Sequence, residues 1–330
     1  MNPLVRLPRM PLGTLPTPLR PAPALSAELG VPVWFKRDDL TGMGLGGNKV
    51  RPLEYLIGHA RALGCDSLVT GAGPQSNWAM LAALAARRAG LEPHLVYYGT
   101  PVPATGNLLL AERIGAEIHY TGNPDRASVD VEITDWADKL RASGHRPYVL
   151  PRGGATAIGS LGYLRASLEL AGQLLDNDLT PTELWLATGS CGTQAGLVAG
   201  ARWLQAPYRV VGVSVSRPVT ECRRRITDLA AGVADLLGPA GEHQAPPGDP
   251  AEDITVLSGY LGPGYGQASE AGEAAADLVA RTEGVFLDPV FGAKAMAALI
   301  AWAGRTPRPD GPVLFLVSGG APTLFARGEP

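Results

Sequence analysis

Short apolar runs bounded by turn residues alternate with stretches of helical periodicity along almost the whole chain. That alternation restricts the fold to βα units built on mostly parallel sheets, an α/β architecture. It predicts strands at 31–36, 66–70, 94–98, 117–120, 146–150, 183–187, 209–214 and 312–317. Between them it predicts helices at 51–63, 78–89, 106–114, 130–142, 163–175, 194–204, 272–283 and 292–303. The first helix shows the logic: Leu53, Leu56, Ile57, Ala60 and Leu63 recur on one face, and Gly64 stops it. Pro32 cannot donate to a ladder, which predicts an edge position for the first strand. Residues 1–24, rich in Pro and Leu, read as an extended arm on the surface. The Gly- and Pro-dense stretch 238–252 reads as a mobile loop. No short-period repeat is present.

With 330 residues, 45% of them hydrophobic and 18% charged, the chain has enough apolar content for one large or two ordinary cores. A net charge of −3 gives no ground for a nucleic-acid or anionic-membrane partner. Cys65, Cys191 and Cys222 have no CxxC spacing, which fits a reducing cytoplasm and not a thiolate zinc site. The start Met1-Asn2-Pro3-Leu4 lacks a signal-peptide layout, and Arg87-Arg88 break the most apolar stretch. These features predict a soluble cytoplasmic protein.

Three strings carry chemistry. Asn48-Lys49 closes the glycine-rich run 42–47, and a lysine held by such a turn suits Schiff-base work, although a solvated turn lysine is the bland reading. Gly73-Pro74-Gln75-Ser76-Asn77 leads into a helix and offers amides and a hydroxyl to a cofactor and substrate. Thr188-Gly189-Ser190-Cys191-Gly192-Thr193 follows an apolar strand and opens a helix, where backbone N–H groups and the helix dipole make an anion cradle. It is neither a P-loop, lacking Gly-Lys-Ser/Thr, nor a GxGxxG dinucleotide turn. One phosphate without a nucleotide signature suggests pyridoxal 5′-phosphate, with Lys49 as its lysine.

Lys36-Arg37-Asp38-Asp39-Leu40, Gly46-Gly47-Asn48-Lys49, Gln75-Ser76-Asn77, the run 189–196, Gly262-Pro263-Gly264-Tyr265-Gly266 and Asp288-Pro289-Val290 occur in this order. With these motifs the chain resembles the 1-aminocyclopropane-1-carboxylate deaminase and D-cysteine desulfhydrase family of fold type II pyridoxal-phosphate enzymes, from about residue 10 to the C-terminus. The resemblance implies a tryptophan-synthase-β-like fold: two open, twisted, mostly parallel sheets with helices on both faces. Residues 1–49 and 161–330 would form a large domain, 50–160 a smaller inserted one, and the protein a homodimer.

By the same resemblance, Lys49 would hold the cofactor and move the Cα proton. Asn77 would bond the cofactor 3′-oxygen, and Gly189, Ser190, Cys191, Gly192 and Thr193 its phosphate. Ser318 would face the pyridine nitrogen. Gln75, Ser76, Trp78, Tyr265 and Phe291 would meet the substrate, with Ser76 and Tyr265 also catalytic. Ser76 has a second reading as a helix N-cap, and Tyr265 one as a core tyrosine. The implied reaction is α,β-elimination on a small amino acid, D-cysteine or D-cysteine-like, giving a 2-oxo acid and ammonia.

Four positions depart from the family pattern: Pro52 replaces a second lysine, Trp78 a polar residue, Phe291 a tyrosine and Gly292 a glutamate. The phosphate charge must then be met by N–H groups, Arg51 or another group. Loss of the tyrosine and glutamate disfavours ring-opening of aminocyclopropane carboxylate. The alternatives are β-replacement in a biosynthetic pathway and, from a different class, nucleotide binding without pyridoxal chemistry. His59, His94, His119, His145 and His243 show no ligand spacing, so no metal is expected. Arg223-Arg224-Arg225 reads as a solvated helix face. Cys191 reads as a small filler, though its helix-start position could lower its pKa.

Overall fold

The computed structural model describes residues 3–238, 250–305 and 310–326. The chain opens with β1 (Leu19–Pro21), α1 (Pro23–Leu29), β2 (Val33–Arg37) and α2 (Val50–Ala62). Then come β3 (Ser67–Ala72), α3 (Asn77–Arg88), β4 (Glu92–Tyr97), α4 (Gly106–Arg113), β5 (Glu117–Tyr120), α5 (Ser128–Ala142) and β6 (Pro147–Val149). The second half runs α6 (Ala157–Asp176), β7 (Glu183–Thr188), α7 (Gly192–Leu204), β8 (Arg209–Ser214) and α8 (Val219–Leu237). It closes with β9 (Thr255–Leu257), α9 (Glu270–Glu283), α10 (Gly292–Ala303) and β10 (Val313–Val317).

Ten strands form two sheets among the described residues: β1-β2-β10-β7-β8-β9 and β5-β4-β3-β6. Every pairing is parallel except β1 against β2. Helices cover both faces of each sheet, and strand alternation shows how. Val313, Phe315 and Val317 of β10 enter the core shared with α1, α9 and α10, while Leu314 and Leu316 enter the one shared with α6, α7 and α8. In the smaller sheet Leu68 packs with α2 and α3, and Val69 and Val96 pack with α5. Strands buried on both faces read as continuous apolar runs, which is why β10 and β8 stand out in the sequence.

Pro32 does not put β2 at an edge. It lies one residue before the strand, so its missing N–H costs the ladder nothing, and its carbonyl accepts from Val313 N at 2.8 Å. β2 sits between β1 and β10. The N-terminal arm is not merely on the surface either: Leu4, Leu12 and Thr17 are buried, and β1 pairs with β2. α6 begins six residues before its predicted start, where Thr156 Oγ1 accepts from Gly159 N at 3.1 Å as an N-cap. The stretch 238–252 lies mostly outside the described residues. No helix among the described residues is long and apolar enough to cross a membrane.

Candidate active site

β3, β7 and β10 all end at one cleft, so loops from both sheets meet at the C-terminal ends of parallel strands. The cavity there measures about 710 Å³. It gathers Lys49, Gln75, Ser76, Asn77, Trp78, Gly189, Ser190, Cys191, Thr193, Tyr265, Phe291 and Ser318. Gly192 instead lines a small void behind Lys49.

Lys49 sits just before the first turn of α2, and its loop is clamped on both sides. Gly47 N donates to Asp38 O (3.1 Å) and to Thr41 Oγ1 (2.8 Å). Asn48 N donates to Ser318 O (2.8 Å), and Asn48 Nδ2 to Thr193 Oγ1 (3.2 Å). The lysine is thereby tied to the end of β10 and to the first turn of α7. Gly46 has φ +73°, and a Cβ there would overlap the Asp39 carbonyl oxygen. Gly46→Ala is therefore expected to cost at least about 1–3 kcal/mol in urea melts. A variant as stable as wild type would show that the loop has another shape. Burial pulls the Lys49 ammonium down to about 8, only partly opposed by Cys191 nearby.

The turn after β7 makes the cradle. Cys191 adopts φ 78°, and the first-turn N–H groups of α7 (Gly192, Thr193, Gln194) have no intrahelical acceptor. Ser216 Oγ donates to Gly189 O at 3.1 Å and holds the turn from β8. The Cys222 thiol beside Cys191, together with burial, pushes the Cys191 thiol up, the reverse of the lowering that its helix-start position suggested.

Ser76 is the N-cap of α3 and accepts from Ala79 N at 3.2 Å. Its neighbours are ordered by a residue that sequence reasoning missed, Asn107. The Asn107 Nδ2 group donates to Asn77 Oδ1 (2.7 Å) and to Gln75 O (3.0 Å), which leaves Asn77 Nδ2 as the cleft-side donor. Gln75 Oε1 accepts from Asn107 N (3.0 Å), and Gln75 Nε2 donates to Thr105 O (3.0 Å). Its amide is thus spent on the loop before α4. Trp78 is 3% exposed and its indole N–H donates to Thr70 Oγ1 at 2.9 Å. It lies against Gly154, where any Cβ would overlap the indole. It is as much core as cleft wall.

Tyr265 is 36% exposed and lines the cleft, edge-on to Phe291 with ring centroids 6.3 Å apart. Burial raises its phenol, against the pull of Arg126. Asp288 caps α10, accepting from Phe291 N (2.7 Å) and Gly292 N (2.8 Å), and burial raises it to about 6. Arg51 does not reach the cleft: it is 1% exposed and bound to Asp38 and Glu169, so it cannot neutralise a phosphate. Its absence from the cleft is a consequence of Asp38, whose carboxylate takes two of its N–H groups at 2.8 Å.

A sequence profile described as "Pyridoxal-phosphate dependent enzyme" matches residues 10–319. The chain belongs to this family. It is 38% identical to the D-cysteine desulfhydrase of Salmonella choleraesuis (strain SC-B67), covering 98% of this chain and 97% of that protein. It is also 38% identical to the D-cysteine desulfhydrase of Klebsiella pneumoniae (strain 342), with the same coverage. Among solved structures it is similar to an ACC deaminase homologue, with a TM-score of 0.88 and 34% identity over 98% of this chain and 95% of that one. A fungal L-serine ammonia-lyase from Rhizomucor miehei shares the fold alone, with a TM-score of 0.66 and 18% identity over 94% of each chain.

The cleft fits the cofactor of a pyridoxal-phosphate dependent enzyme on its own geometry. Unpaired first-turn N–H groups would take the phosphate, Lys49 lies within the same cavity, and Asn77 Nδ2 is oriented as a donor. Ser318, at the end of β10, adds a hydroxyl.

Away from the cleft, the structure assembles three side chains whose sequence spacing gave no sign of it. His94, Glu117 and His119 meet across β4 and β5, with His94 Nδ1 3.2 Å from Glu117 Oε2 and 3.5 Å from His119 Nε2. Burial lowers both imidazoles, His119 to about 4. The other nitrogen of His94, Nε2, is buried with no hydrogen-bond partner, whereas a ligating imidazole ordinarily donates its second N–H to an acceptor.

Proposed function

We propose that this chain is a lyase that carries out α,β-elimination on D-cysteine or a D-cysteine-like amino acid, releasing a 2-oxo acid and ammonia. The observation that supports this most is the 38% identity to D-cysteine desulfhydrases over 98% of the chain. Bound in the cleft, pyridoxal phosphate supplies an electron sink that lets the Cα proton leave. Lys49 takes that proton; its burial favours the neutral amine over the ammonium. Ser76 holds the substrate carboxylate while capping α3, so one hydroxyl is fixed by its structural task and available for the chemical one. The N–H groups of the 189–193 turn would hold the phosphate, Asn77 the 3′-oxygen and Ser318 the ring nitrogen.

Tyr265, raised above its ordinary range, stays protonated and can hand a proton to the leaving group. Phe291 has no proton to give, and Gly292 no side chain at all. Both weigh against a ring-opening step that needs a tyrosine and a glutamate there. The reading includes a cytoplasmic homodimer, with three free cysteines suited to a reducing compartment. It also includes the division into 50–160 and the remainder, with the cleft between.

The test is to add D- and L-cysteine separately to the purified protein and to assay pyruvate and sulfide. Both products from the D-isomer, at a rate well above that from the L-isomer, are expected. A spectral change with no pyruvate from either isomer would sink cysteine as the substrate and leave replacement chemistry or elimination on another amino acid.

A further inference from the structure

The cleft has a charge that the chain as a whole does not. The sequence is net −3, yet Lys49, Arg126, Arg152 and Arg217 line the cavity and, among the described residues, no aspartate or glutamate does. The three arginines come from separate segments: Arg126 precedes α5, Arg152 follows β6, and Arg217 lies between β8 and α8. The Arg126 guanidinium carbon lies 3.8 Å over the Tyr265 ring, and all three arginines line the cavity that this ring helps to wall. Gathering like charges from three segments costs free energy unless an anion joins them.

Carboxylates outside the cleft offset part of this charge. Arg152 pairs with Asp130 at 3.0 Å and Arg217 with Glu221, but Arg126 has no carboxylate partner among the described residues. The Arg217 Nε atom is buried without a partner. The cofactor phosphate already has the N–H cradle before α7, and the α-carboxylate of any amino acid has Ser76. Guanidinium groups are suited to oxyanions, which they meet with paired N–H donors.

We infer that the cleft takes an amino acid whose β-substituent ends in an oxyanion, a sulfonate or a phosphate ester. Arg126 is its main reader, and Arg152 and Arg217 supply the surrounding positive field. The inference rests on the lyase reading above and names its substrate class. For a sulfonate, Lys49 removes the Cα proton, and the Cβ–S bond breaks with its electron pair leaving on sulfite. The released enamine takes up water. Amino acid plus water thus gives pyruvate, ammonium and hydrogen sulfite, with no oxidant or reductant. For a phosphate ester the Cβ–O bond breaks, and inorganic phosphate leaves in place of sulfite.

The test uses the cofactor-loaded protein and both enantiomers of cysteic acid, O-phosphoserine and cysteine. Pyruvate release is assayed, and perturbation of the visible cofactor band is read separately as binding. One of the two anionic amino acids is expected to exceed cysteine of the same handedness at least tenfold in kcat/KM, and which one does so identifies the oxyanion. Arg126→Gln is expected to lower that ratio at least tenfold, through KM, with Arg152→Gln lowering it less. Added salt should weaken the anionic substrate more than cysteine.

The inference is overturned if cysteine perturbs the band and the anions do not, an outcome that leaves the lyase reading standing. It is also overturned if Arg126→Gln lowers both substrates equally and weakens pyridoxal-phosphate binding, because the arginine would then serve the cofactor. A protein that shows no visible band after added pyridoxal phosphate overturns the lyase reading itself, and the substrate class with it.

Discussion

Lys49→Ala is expected to abolish the visible band at ~410–430 nm and to cut turnover by at least about a thousandfold. The lysine is the one amine lining the cleft among the described residues, held by Asn48 between the end of β10 and the first turn of α7. Removing it takes away both the point of covalent attachment and the base at Cα. The cradle N–H groups remain, so the variant should still hold pyridoxal phosphate without bonding to it, as read by equilibrium dialysis. Covalent loading of the wild-type apoprotein supplies a second check. Only the neutral amine attacks, and burial brings Lys49 from 10.5 down to about 8. The loading rate should therefore rise with pH to a midpoint about 8 and then level off. A rate still climbing beyond pH 10, or an alanine variant that keeps its band, would sink the assignment.

Arg51→Met is expected to destabilise the fold by about 3–5 kcal/mol, because it leaves buried carboxylates without their counter-charge. Arg51 and Asp38 are 1% and 0% exposed, and Arg51 also holds Glu169 at 2.9 and 3.0 Å. Tyr163 donates to Asp38 at 2.5 Å, and Lys36 completes the cluster on Glu169. Burial pushes both carboxyls up, but the charge and hydrogen bonds of Arg51 outweigh it and both end below their ordinary values. The unfolded chain then binds more protons than the folded one below 4.5 for Glu169 and below 3.8 for Asp38. The stabilisation is present in full above those values and is lost as pH falls through the depressed folded ones. Wild-type melts from pH 7 down to pH 3 should show that loss. In Arg51→Met burial is no longer outweighed and the folded carboxyls titrate higher, so this acid loss should shrink and the gap to wild type should narrow as pH falls. A variant within ~1 kcal/mol of wild type at pH 7 would place the network among exposed pairs of little worth. The consequence for function is positional: Arg51 is the second residue of α2, and the residue before that helix is Lys49.

Tertiary context overruled the local reading wherever a residue's partner lies far along the chain. The run Val313–Val317 announces a buried strand by itself, but only the sheet order shows that β2, despite Pro32, is its neighbour and not an edge. Arg51 looked available for a phosphate because Asp38 and Glu169, 13 and 118 positions away, leave no local trace. Gln75 looked like a substrate reader, yet its amide is consumed by the loop at 105–107.

By itself the sequence determined the α/β class, most element positions, the lysine loop and the anion cradle. Periodicity, glycine turns and a strand-to-helix junction are short-range consequences of backbone geometry and burial. Tertiary structure alone decided how these pieces meet. It put Asn107 behind Asn77, drew three arginines from separate segments to one cleft, and turned Arg51 away from it. Charge pairing and hydrogen bonding act through space at a few ångströms, and which groups come that close is set by sheet order and helix packing, not by neighbourhood in the chain.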